Sequence, residues 1–179
     1  MSGNNKGVET IGHAFYQSRW NGGFYMIKDY LNAKTIQVID RESLNGWKSA
    51  VHKASEPLLA LNKIDAAYVE AIIKEIDTVG PYMNIGPQIC LAHAPANPDS
   101  VHEVALSLMK TTQSIDLVNE KHPVTLWFVL ASPDATSHLQ LLQQLTKILM
   151  NVTVLENIKQ AKTVDEITKI ISEQEKVGE

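Results

Sequence analysis

The chain has 179 residues, of which 44% are hydrophobic and 20% charged, with a formal net charge of -4. That composition suits a single globular domain and argues against a basic nucleic-acid-binding surface. Its only cysteine, Cys90, excludes an internal disulfide framework and a cysteine-rich metal site. No stretch reaches the roughly 18 apolar residues of a membrane span, and the first 25 residues lack a secretory apolar core. A soluble intracellular protein is expected.

Residues 1–25 are rich in Gly, Asn and Ser and follow no period of 2 or 3.6, so a disordered arm is expected there. His13, within it, has no partner at ligand spacing. The domain is placed at 26–173, with a frayed end at 174–179. Met26 to Leu31 reads as one helical turn, and the β-branched run Thr35 to Ile39 as a short strand. Ser43 stands at a cap position before Leu44, Trp47, Val51, Ala54 and Leu58, which recur at helical spacing. Pro57 is expected to bend or end that helix, and His52 lies on its polar side. Asp65 caps a second helix that buries Val69, Ile72, Ile73, Ile76 and Val79 and stops at Gly80-Pro81.

The next stretch, GPYMNIGPQICLAHAP from Gly80 to Pro95, places two turn signals around apolar runs long enough for two short strands. Cys90 sits inside the second run and reads as an inert buried thiol. That run ends on His93, and the Pro/Asn/Asp segment from Pro95 to Ser100 continues neither helix nor strand. An imidazole at a strand end, where a rigid scaffold holds loops, is a candidate for chemistry.

From Glu103 the period becomes two, around Val104, Leu106 and Leu108. Thr111 to His122 reads as a connection, with Ile115, Leu117 and Val118 as a small edge element. Val124 to Ala131 is nearly continuously apolar, as in a strand buried on both faces. His102 and His122 fall at strand boundaries. After SPDATSH, residues 132–138, a helix follows with Leu139, Leu142, Leu145 and Leu149 on its face, supported by Leu141 and Ile148. Asp134 or Thr136 caps it, which puts His138 in its first turn. Helices at Val154 to Gln160 and Val164 to Ser172, the latter capped by Thr163, close the chain. This order gives an α/β fold with helices packed on both faces of a small mixed β-sheet.

His93 and His138 therefore occupy comparable places outside strand ends, where α/β sheets bind ligands. The unpaired N–H groups of a helix start favour an anion such as a phosphoryl group, and a neutral imidazole is a nucleophile toward phosphorus. One histidine can carry phosphate while the other donates a hydrogen bond to it. No Gly-rich nucleotide loop, metal-binding histidine spacing or nucleophile elbow is present in the sequence. A structural role for both histidines stands beside this: His93 capping backbone groups and His138 as an ordinary helix-start residue.

Taken together, Gly80 to Ala94 and SPDATSH resemble the mannitol/fructose-type IIA proteins of the bacterial phosphoenolpyruvate-dependent sugar phosphotransferase system. The GPY opening and SPDATSH look most like the ascorbate-specific branch. The resemblance implies a cytoplasmic phosphocarrier of α/β sandwich fold with no cofactor and no metal. The residue matching His93 accepts a phosphoryl group from phospho-HPr and passes it to a cysteine of a IIB protein, which serves a IIC membrane transporter. The residue matching His138 stabilises the phosphorylated state. Asp134 and Ser137 flank His138 in this sequence, and from that position they are expected to orient it or contact phosphate. Tyr82, Met83, Ile85 and Leu91 would form an apolar docking ground, and a homodimer is compatible with this branch. A regulatory protein of the same fold, controlling a protein partner by its phosphorylation state, is the alternative. The chain departs from the pattern with Ala92 where proline usually precedes the histidine, Ala94-Pro95-Ala96 after it, and no arginine in Glu75 to Thr78.

Overall fold

Five strands form one mixed sheet in the order β1-β4-β5-β3-β2, in a computed structural model that describes residues 25–176. The strands are β1 (Ile36–Ile39), β2 (Asn84–Gly86), β3 (Gln88–Ala92), β4 (Ala105–Asp116) and β5 (Pro123–Ala131). β4 and β5 are antiparallel, β1 lies parallel to β4, β3 lies parallel to β5, and β2 folds back antiparallel on β3. The arm expected at 1–25 falls outside the described residues except for Tyr25, whose carbonyl accepts a hydrogen bond from Gln144 Nε2 at 3.3 Å.

Side chains alternate across the central strands and fill two cores. Cys90, Met109 and Trp127 point toward α2 (Gly46–Ala60) and α3 (Ala66–Val79). Leu91, Leu108 and Phe128 point toward α1 (Ile27–Tyr30), α4 (Ala135–Leu149), α5 (Val152–Gln160) and α6 (Val164–Lys176). Helices thus cover both faces of the small mixed sheet. β5 is the double-sided strand its apolar run predicted, and each of its large side chains contributes about 2–3 kcal/mol on burial. No helix among the described residues is long and apolar enough to cross a membrane.

Several local readings are corrected. Thr111 to Asp116 is not a connection but the second half of β4. The β4–β5 register shifts between Lys110 and Ile115, then pairing resumes at Ile115 with Val124, so exposed Thr112 to Ser114 in the irregularity look loop-like in sequence. Ser43 ends a 3-10 turn, Arg41–Ser43, capped by Asp40, and Asn45 takes the cap position of α2 because Gly46 turns left-handed at φ +79°. Val79, expected inside, is the last residue of α3 and is 61% exposed. On α4 the buried stripe is Leu141, Leu145 and Ile148, while Leu139 faces out at 54% exposure. The final helix runs to Lys176, into the end expected to fray from 174, and Glu175 Oε1 accepts the Lys28 N–H at 3.0 Å; 177–179 lie outside the described residues.

Pro57 neither ends α2 nor leaves a gap in it. The carbonyl four residues earlier, Lys53, loses its helical donor to proline but accepts Gln37 Nε2 of β1 at 2.8 Å. Replacing Gln37 with Ala should lower unfolding free energy by about 1 kcal/mol in urea titrations. In a Pro57→Ala background, where residue 57 regains its N–H, the same change should cost about 0.3 kcal/mol or less, and a double-mutant cycle reads the difference.

Candidate functional site

The two histidines meet because β3 and β5 run parallel and end at the same edge. The last paired residues are Ala92 and Val129. His93 follows immediately, and the turn after β5 leads through Asp134 into α4, with His138 in its first turn. Their rings lie 5.9 Å apart between centroids, tilted by 49°. Tyr82 lies in the turn that leads into β2, where Leu91 N–H donates to Met83 O at 2.9 Å, and it sets its ring edge-on to His93 at 6.3 Å.

His93 Nδ1 lies 2.8 Å from the carbonyl oxygen of Leu91. A carbonyl only accepts, so Nδ1 carries the proton and Nε2 holds the ring's free lone pair. Geometry thus leaves Nε2 as the nitrogen able to accept a hydrogen bond or share its lone pair. His138 is half-buried, and burial, with a smaller contribution from neighbouring His93, holds its pKa below the ordinary value. Its imidazole stays neutral near neutral pH and keeps one N–H to donate.

Asp134 is the N-cap of α4. Its Oδ1 accepts the Ser137 N–H at 2.8 Å and its Oδ2 the Ser137 hydroxyl at 2.8 Å. These donors, with the Thr136 N–H, hold its pKa below the usual carboxylate value. The Ser132 hydroxyl fastens the same turn by donating to Asp134 O at 2.6 Å. Ser137 is buried and its hydroxyl is committed to Asp134, so the pair fixes the start of α4 and thereby His138. Part of the helix-start N–H set that would attract an external anion is already taken by the chain's own carboxylate.

Sequence reasoning missed Tyr68, which sits on the buried face of α3. Its hydroxyl accepts the Ala94 N–H at 3.1 Å and donates to Leu130 O at 2.6 Å. The spacing of α3 marked the residue only as core. The apolar ground around the histidines also differs from expectation: Tyr82 and Ile85 are 48% and 45% exposed, but Met83 and Leu91 are buried, one in each core. Exposed Leu139 flanks His138 in the chain. Ala92, at the usual proline position, is restrained instead by its pairing with Val129. Cys90 is fully buried and its thiol is pushed up to about 12, as befits an inert core residue.

The remaining histidines have other partners. His102 Nε2 is 2.9 Å from Asp65 Oδ1, His52 Nε2 is 3.3 Å from Glu70, and His122 Nδ1 is 3.3 Å from Asn84 Oδ1. His13 lies outside the described residues.

A mixed sheet under helices on both faces, with a histidine pair at its edge, defines a sandwich of the phosphotransferase IIA type. The sequence profile of the family described as "Phosphoenolpyruvate-dependent sugar phosphotransferase system, EIIA 2" matches residues 29–174, and the chain belongs to that family. The mannitol-specific cryptic phosphotransferase enzyme IIA component of Escherichia coli (strain K12) is 27% identical over 146 residues, 82% of this chain and 97% of the relative. The ascorbate-specific EIIA component of Mycoplasma pneumoniae is 26% identical over 118 residues, 65% of this chain and 74% of the relative. The solution structure of the cryptic mannitol-specific IIA protein CmtB from Escherichia coli superposes with a TM-score of 0.74 at 26% identity, covering 83% of this chain and 99% of that one. Mannitol- and ascorbate-specific relatives stand at nearly equal identity, so the similarity marks the EIIA family and not a sugar.

His138 makes stability pH-dependent. Its folded-state pKa lies below the ordinary value of 6.5, so as pH falls the unfolded chain takes up the proton first. Its contribution is intact above that value and is lost progressively as pH falls toward the folded-state pKa. Urea midpoints compared at about pH 7.5 and about pH 5.5 should therefore drop more in the wild type than in His138→Gln. The Asp134 contribution has the same sign but is lost only at lower pH, below the ordinary 3.8.

Proposed function

We propose that the chain is a cytoplasmic phosphocarrier that accepts a phosphoryl group on His93 Nε2 from phospho-HPr. It then gives the group to a cysteine of a cognate IIB protein, which serves a IIC membrane transporter. The observation that carries this reading is the Nδ1–H bond to Leu91 O, which leaves Nε2 as the lone-pair nitrogen beside His138.

In the accepting step the Nε2 lone pair forms an N–P bond while the P–N bond of the donor phosphohistidine breaks and its electrons return to the donor imidazole. The His93 ring gains positive character, and its Nδ1–H bond to Leu91 O becomes charge-assisted. Neutral His138 donates its N–H to a phosphoryl oxygen. In the second step the IIB thiolate attacks phosphorus, the N–P bond breaks, and its electron pair returns to Nε2. The balance closes without a metal, nucleotide or redox partner. Catalysis is then alignment and charge stabilisation. Tyr82, Ile85 and Leu139 offer the apolar contact for both partners in turn. The GPY and SPDATSH segments favour an ascorbate-type system.

Incubation with phosphoenolpyruvate, enzyme I and HPr should add the mass of one phosphoryl group to the wild type and none to His93→Ala. No gain in the wild type, or an unchanged gain in His93→Ala, overturns the reading. His138→Ala should still accept phosphate but transfer it onward more weakly or hold it for less time. In NMR titrations the His138 pKa should rise by about one unit or more on phosphorylation of His93, because a dianion then stands beside it.

A further inference from the structure

The parallel ladder between β3 and β5 ends at Ala92 and Val129, and its next rung would run from the Ala94 N–H to the Leu130 carbonyl. Instead the Tyr68 hydroxyl stands in that rung, accepting from Ala94 N at 3.1 Å and donating to Leu130 O at 2.6 Å. Two hydrogen bonds in series replace one of about 2.9 Å, so the strands part at this point. His93 lies between the last paired residue and the wedged one, and Leu130 leads into the turn that starts α4 and carries His138.

We infer that Tyr68 is a positioning residue of the transfer: its hydroxyl sets the separation and aim of the two histidine-bearing strand ends. The inference rests on the phosphocarrier reading and adds to it a residue distant in sequence that touches neither phosphate nor partner. The hydroxyl suits the task. It is buried, and burial pushes its pKa up to about 12, so it keeps the proton it donates to Leu130. It has one donor and can accept as well, which matches an N–H on one strand and a C=O on the other. The ring is held on α3 among core residues that include Ala94 and Ala92, so the wedge is anchored outside the two strands it separates. Closing the rung would draw Ala94 toward Leu130 and carry the His93 backbone with it. The Nδ1 bond to Leu91 O and the 5.9 Å spacing to His138 both depend on that backbone.

Tyr68→Phe removes the wedge and keeps the ring. Transfer from phospho-HPr should slow by roughly tenfold or more in kcat, while KM for phospho-HPr changes by less than about twofold, because the outer docking residues are untouched. Nitrogen-15 NMR of His93 should show the Nδ1–H form giving way to a mixture of tautomers. Gln37→Ala, which destabilises a remote part of the fold, is the control and should keep the wild-type kinetics and tautomer. Trimethylamine oxide in all samples holds a destabilised variant folded, so both measurements report on native protein. Wild-type kcat and an unchanged His93 spectrum in Tyr68→Phe overturn the inference, however much stability is lost. Failure of the wild type to accept a phosphoryl group overturns the phosphocarrier reading instead. The His93 spectrum, which needs no donor, still decides whether Tyr68 positions that ring.

Discussion

The parallel pairing of β3 with β5 is the constraint on which the site depends. Had these neighbours been antiparallel, the loops after them would emerge at opposite edges, and His93 and His138 would stand a strand length apart. Parallel strands require a crossover, and here β4 and the long segment around it supply one. The pairing survives because β5 is covered on both faces, with Trp127 in one core and Phe128 in the other. A strand buried on both faces therefore fixes the half-exposed corner where the two histidines meet.

Around that pairing, each histidine is located by bonds made by other residues. His93 is oriented through the Leu91 carbonyl, two residues back in its own strand, and through the Tyr68 wedge on Ala94. His138 is oriented by the cap of α4, where Asp134, Ser132 and Ser137 form a closed hydrogen-bonded turn. None of these bonds requires a long flexible side chain. Short links of this kind keep ring positions narrow, and a relay that works by alignment needs that.

Much of the fold was legible because its signals are local. The unbroken apolar run of β5 and the stripes of α2 and α3 state their partners by periodicity, and the turn chemistry at Gly80-Pro81 and Pro95 marks where the chain must stop. The histidine pair was legible as two residues just past strand ends. What escaped depends on register and on neighbours. The polar residues of β4 look like a loop because the irregularity exposes them, although the ladder resumes beyond. The leucines of α4 recur so often that two stripes are possible, and only docking on the sheet selects Leu141, Leu145 and Ile148. Tyr68 occupies a regular core position, and nothing in its spacing separates its hydroxyl from that of any packed tyrosine. At the start of α4, part of the N–H set that favours an anion is taken by the chain's own Asp134, which spacing alone does not reveal.

That last feature bears on how firmly a cargo is held. A fully open helix terminus next to His93 would grip a phosphoryl group through several N–H donors and lower the energy of the loaded state. Asp134 instead presents a carboxylate whose pKa is held low, and so it remains charged. In a relay, each station must sit close in energy to the stations before and after it, or the traffic stalls there. On the phosphocarrier reading, the capped helix keeps the loaded histidine shallow: bound well enough to cross between proteins, and loosely enough for the flow to reverse.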